Sequence, residues 1–182
     1  MADFNAALSY LMDDEDRQRS GAVVPDPTAN DKTAKARFGI NSAAHPEAVA
    51  DGFYEMIKAS ALLYASNIYK LSYWVPIGGY QIICQDIANK FLSLAVNEGT
   101  HQATKIVQRA LNQLLAPVVK GPLPLTVDGT CGPQTVAAIN KANPEELLPA
   151  IKSYACQFLQ DAAFRNKWPQ SELDELKARV NR

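Results

Sequence analysis

The stretch FNAALSYLMDDE, Phe4 to Glu15, decides how the rest of the chain is read. On a helical wheel at ~100° per residue, Leu8 and Leu11 fall within about 40° of Phe4. Ala7 and Met12 widen this into an apolar stripe, and Asp3 stands where an N-cap belongs. The stripe predicts an amphipathic helix that runs into four consecutive acids, Asp13 to Asp16. Those acids are not equivalent. Asp13 lies roughly opposite Phe4, and Asp14 and Asp16 sit on the flanks, but Glu15 returns to within about 20° of it.

Three of the four acids therefore read as a solvated helix end, the ordinary fate of a charge run. Glu15 is set where the core should be, at a helix C-terminus whose dipole disfavours an anion. Both circumstances raise a carboxyl pKa, which is what a general acid at neutral pH requires. The alternative is that the helix has ended by Asp14, so that Glu15 turns to solvent or pairs with Arg17 or Arg19.

Helical periodicity continues outward from this segment. From Arg17 to Ser42 it lapses, and Gly, Pro, Asn and Asp dominate, with a short extended segment expected at KARFGIN. A loop of that length in a compact domain is usually functional. Pro46 to Tyr73 reads as one or two helices, with Phe53, Met56, Ile57, Ala61, Tyr64, Ile68 and Leu71 inward. PIGGY is a turn, Ile82 to Ala95 a central helix, NEGT a break and Ala103 to Leu115 the next helix. PVVKGPLPLTVDGTCG is a loop, Pro133 and Asn143-Pro144 each start a helix, and Ser171 is expected to cap a charged final one. The expected class is all-α, with few or no strands.

Composition narrows the function. The chain has 182 residues, 47% of them hydrophobic, enough for one sizeable core. With 18 basic and 19 acidic residues it has no electrostatic footprint for nucleic acid or an anionic membrane. No run approaches the roughly 18 apolar residues of a transmembrane helix. The start is acidic where a signal peptide is basic, so synthesis in the cytoplasm without a signal peptide is expected. Cys84, Cys131 and Cys156 are odd in number and widely spaced, which predicts reduced thiols rather than disulfides or zinc. His45 and His101 have no ligand spacing, and neither metal nor cofactor is expected.

Five segments, in order, carry a family resemblance: FNAALSYLMDDE, DKTAKARFGIN, IYKLSYW, AVNEGTHQATKIVQRAL and DGTCGPQTVAAI. Together they resemble the glycoside hydrolase family 108 muramidases, lysozyme-superfamily proteins with a C-terminal peptidoglycan-binding-type segment. The resemblance implies a lysozyme-like orthogonal helical bundle in one domain. Residues 1–115 would form the catalytic part and residues 116–182 the C-terminal segment. It implies hydrolysis of the β-1,4 bond between N-acetylmuramic acid and N-acetylglucosamine, with Glu15 as general acid and Asp31 as second carboxylate. Asp26 competes with Asp31 for that place. Other readings are a lytic transglycosylase or a non-catalytic peptidoglycan-binding or helical interaction module. The sequence departs from the family after Glu15, where Asp16-Arg17-Gln18 replaces Gly-Gly-Tyr, and at Ala36, where Thr is usual.

Tyr73, Trp74 and Asn97 are the candidate substrate contacts. The competing reading makes the aromatic residues core and Asn97 a helix-end cap. Arg37 would meet a muramyl peptide carboxylate or Glu15 itself, and Asp128-Gly129 reads as a turn packing the C-terminal helices. The implied partner is the peptidoglycan glycan strand. Action in the periplasm or cell wall would follow release by a phage holin or injection by a contractile secretion machine, the latter with an immunity partner.

Overall fold

A computed structural model describes residues 1–15, 20–27, 31–115 and 125–182, with backbone alone for Asp14 and Glu15. The first helix, α1 (Phe4–Glu15), begins as expected, with the Asp3 carboxylate accepting from the Ala6 amide at 2.8 Å. Phe4, Ala7, Leu11 and Met12 are buried and Leu8 partly so. The stripe read from the sequence is thus the face that meets the core.

The segment that lost helical periodicity forms a small antiparallel sheet of β1 (Val24–Pro25), β2 (Lys35–Arg37) and β3 (Ile40–Asn41). Arg37 pairs with Ile40 around the two-residue loop Phe38-Gly39, whose φ angles are 49° and 75°. Positive φ at both positions makes the type I′ geometry that matches strand twist. Phe38 tolerates it because its ring is buried against Gly21, where an added Cβ would lie 2.5 Å from the ring edge.

Four segments follow: α2 (Pro46–Ala50), a 3₁₀ turn (Phe53–Glu55), α3 (Lys58–Ile68) and a π-helical turn (Tyr69–Trp74). The expectation of a single inward stripe fails at Ile57 and Leu71, which are 75% and 67% exposed. The register is reset twice. The 3₁₀ turn interrupts it before α3, and the wider π turn rotates Leu71 outward and Trp74 inward.

Helix α4 (Gln85–Glu98) lies beside α1 and runs in the same direction. Gln85 Oε1 accepts from the Asp3 amide at 2.7 Å, and further along both helices Lys90 Nζ lies 5.5 Å from the Tyr10 ring centroid. Only Gly99, at φ 80°, separates α4 from α5 (Thr100–Leu115), so the break is shorter than NEGT suggested. Pro133 and Pro144 open α6 (Pro133–Lys141) and α7 (Pro144–Asn166), as proline at the first turn predicts. The last helix, α8 (Gln170–Asn181), has Pro169 at its N-cap, so Ser171 lies inside the first turn rather than capping it.

The predominantly helical class is as expected. One hydrophobic cluster extends from Ala2 to Val180, with α4 and α5 packed on α7 at its centre. No helix among the described residues is long and apolar enough to cross a membrane. Residues 117–124 of the expected loop lie outside the described residues, and its remainder, 125–132, carries no helix or strand.

Candidate functional site

Helix α1 ends at Glu15 in the backbone, where the wheel expects the candidate acid. Its side chain, and the alternative pairing with Arg17 or Arg19, lie outside the described residues. Beside the same helix a groove of about 550 Å³ opens between α1 and α3. Its α1 wall is Asn5, Leu8, Ser9 and Met12, spaced three and four apart, and the Phe38 ring borders it. Position 15 follows Met12 by three and Leu8 by seven, so helical register continues this face to the end of α1.

A smaller cavity of about 280 Å³ lies along the sheet, with Ser20, Val24, Asp26, Arg37 and Phe38 in its wall. Asp26 is tied to β3 by Asn41, whose Nδ2 donates to its carboxylate at 2.7 Å and to its carbonyl at 3.0 Å. Asp31 is placed differently. Its carboxylate accepts from the Thr33 amide at 2.8 Å and the Thr33 hydroxyl at 2.7 Å, and these bonds lower its pKa. It closes a turn between β1 and β2, and it lines neither the groove nor the cavity. Of the two, Asp26 is the one that lines the cavity beside the hairpin.

Arg37 is 6% exposed, yet its partners are carbonyls, not carboxylates. Nε donates to Gly21 at 2.8 Å, and Nη1 donates to Phe53 at 3.0 Å and Met56 at 2.7 Å. It ties the hairpin to the segment after α1 and to the 3₁₀ turn. The expectation that Arg37 meets a muramyl carboxylate or Glu15 is replaced, among the described residues, by this structural role.

Tyr69 and Tyr54 also secure the hairpin, with hydroxyls donating to Phe38 and Ile40 carbonyls at 2.9 Å and 3.0 Å. Burial, then the nearby Glu47, Asp26 and Glu55, push the Tyr54 hydroxyl up to about 12, so it remains a donor. Tyr73 is half-buried, with its hydroxyl 3.3 Å from His45 Nε2, and His45 Nδ1 lies 2.8 Å from Glu47. Sequence reasoning missed His45 and Asn41 as members of this network. Their place in a turn beside β3 was the only available signal.

Two candidate contacts are occupied within the fold. Trp74 has no exposed surface; it packs against Phe4 and Tyr80, and an added Cβ at Gly79 would fall 2.2 Å from its ring. A sugar cannot stack on it, and its buried indole N–H has no hydrogen-bond partner. Asn97 is exposed, but its Nδ2 donates back to the Ser93 carbonyl at 2.8 Å, so it finishes its own helix. Beside it Glu98, which sequence reasoning passed over, is half-buried, and burial raises its carboxyl pKa.

The Asp128-Gly129 turn packs the C-terminal helices as read from the sequence. The buried Gln108 of α5 donates to Asp128 at 2.9 Å and accepts from the Gly129 amide at 3.0 Å. One turn on, Asn112 donates to the Leu125 carbonyl at 2.8 Å and accepts from its amide at 3.2 Å. The thiols of Cys84, Cys131 and Cys156 are free.

Residues 102–176, from early α5 into α8, match the family model described as a predicted peptidoglycan domain. This supports a peptidoglycan-associated protein. The match does not include α1, the sheet or Asp26. Over nearly its full length the protein is similar to the solved structure of Brucella abortus SagA, at a TM-score of 0.61. The similarity covers 97% of this chain and 92% of that one at 20% identity, and so is a likeness of fold. No curated protein matches the chain.

Proposed function

We propose that this peptidoglycan-associated protein is an N-acetylmuramidase in which Glu15 is the general acid. The observation that carries the reading is the groove along the Asn5–Met12 face of α1, whose helical register continues to position 15. Around the resulting helix end, the hairpin supplies a second concave surface bearing Asp26. A polymer laid along this side of the molecule would have a carboxyl at the end of α1 and a carboxylate on the sheet.

In the reaction, the Glu15 carboxyl passes its proton to the glycosidic oxygen as the bond from that oxygen to the anomeric carbon breaks. Water supplies a hydroxyl to the anomeric carbon and a proton to the carboxylates, so one water is consumed for each bond cleaved. The Asp26 carboxylate either takes the proton from water or stabilises the oxocarbenium-like charge, alternatives separated by the anomeric configuration of the product.

The test is clearance of purified cell walls by the wild type and by Glu15→Gln. Loss of about 100-fold or more in rate is expected of a missing general acid. Equal clearance would reject the assignment. Anhydro ends among the released fragments would replace hydrolysis by lytic transglycosylation. Retention on insoluble walls with no soluble product from either protein would establish the non-catalytic binding module, a reading favoured by the location of the family match outside α1.

A further inference from the structure

A third concave site lies in the C-terminal part of the sequence, between α5 and α7. It encloses about 360 Å³, inside the range of small-ligand pockets. Arg109 reaches it from α5, and Asp161 and Arg165 from α7. Among the described residues, none of these three charged groups makes a hydrogen bond or an ion pair within the protein. Asp161 and Arg165 are even four apart on one helix, the spacing at which an Asp–Arg pair forms readily, yet they stay apart. Gln102 and Gln157 add amides that are likewise uncommitted.

The walls are aromatic as well as charged. Tyr154 and Phe158, both half-buried, occupy the α7 side, and on the next turns of that helix Phe164 stands 88% exposed. Two guanidiniums, one carboxylate and two amides converging over aromatic surface are suited to a ligand with two carboxylates and one amine. The glycan strand does not have those charges, since its sugars are neutral and its lactyl carboxyls are closed as amides. The short stem peptide hanging from each muramic acid does, having free carboxylates and a free side-chain amine.

We propose that the α5–α7 groove binds the stem peptide of peptidoglycan, with Arg109 and Arg165 on its carboxylates and Asp161 on its amine. This rests on the reading that peptidoglycan is the partner, and it divides the polymer between two places. The glycan lies along α1 and the sheet, and the peptide is gripped within the segment that matches the peptidoglycan domain.

The test is calorimetric titration of the full chain with a disaccharide–tetrapeptide that has no bond left for a muramidase to cleave, and with the same disaccharide whose lactyl carboxyl is closed as a simple amide in place of the peptide. Wild type should bind the first and not the second. Arg109→Gln with Arg165→Gln should weaken that binding by about tenfold or more, as expected for lost charge-assisted bonds. Their melting temperature should be unchanged, because both side chains are exposed. Equal binding of the peptide-free disaccharide, or an affinity indifferent to the arginine pair, would overturn the inference. Glu15-dependent wall clearance with such indifference would reject the groove and keep the muramidase, so the two failures are distinguishable.

Discussion

Arg37 donates its Nε–H to the carbonyl of Gly21 at 2.8 Å, sixteen residues back along the chain. The bond joins the sheet to the segment leaving α1, so the geometry of both concave surfaces depends on a cation with no carboxylate partner among the described residues. Replacing Arg37 with Met would leave the Gly21, Phe53 and Met56 carbonyls without their donor. A loss of about 3 kcal/mol in urea unfolding is expected. Arg37→Lys should recover only part of it, since an ammonium lacks the planar fork that reaches several acceptors.

The second carboxylate can be assigned by comparison. Asp26→Asn should lower wall clearance by about 100-fold, because it removes the only negative charge that lines the sheet cavity among the described residues. Asp31→Asn should leave the rate within about twofold, as the loss of a turn device away from the chemistry would. The opposite ranking would return the role to Asp31. Circular dichroism controls for the Asn41 hydrogen bond that Asp26 also makes.

Gly79 is required by Trp74. An added Cβ would lie 2.2 Å from the indole ring, and the fully buried ring has no room to retreat. Gly79→Ala should cost about 1–3 kcal/mol, seen as a lower denaturation midpoint with an unchanged m-value.

Glu98 and Asp128 should give opposite pH signatures. Burial raises the folded pKa of Glu98, so its contribution to stability is full below the unfolded carboxylate value and is lost as pH rises through the folded one. Glu98→Gln should therefore gain stability relative to wild type as pH increases from about 4 to 7. The bonds from Gln108 and the Thr130 amide lower the Asp128 pKa. Its contribution is present above the unfolded value and disappears as pH falls through the folded one, so Asp128→Asn should be destabilising at neutral pH and not in acid. Melting curves from about pH 2 to 7 check both.

Gln108 offers a test of the C-terminal packing. Gln108→Ala removes a buried amide that serves Asp128, Gly129 and Thr130 together, and a loss of about 2 kcal/mol is expected in chemical unfolding. Gln108→Glu should be worse at neutral pH, because it sets a second carboxylate against Asp128.

Much of this protein was determined by the sequence alone. The 3.6-residue spacing of Phe4, Ala7, Leu11 and Met12 defines α1 and Asp3 starts it, and local chemistry bounds its successors at Gly99, Pro133 and Asn143. Those signals are legible because capping and proline geometry depend on neighbours along the chain. Only the tertiary structure decided which side of each side chain is wet. Trp74 and Leu71 exchange their expected places because a π turn rotates the helix, and nothing in the spacing announces that turn. Asp26 and Asp31 are indistinguishable as letters in a polar loop. Strand pairing brings Asn41 and a cavity to the first and leaves the second to close a turn. The α5–α7 groove, too, exists only in three dimensions, where Arg109 comes to face a helix turn more than fifty residues away.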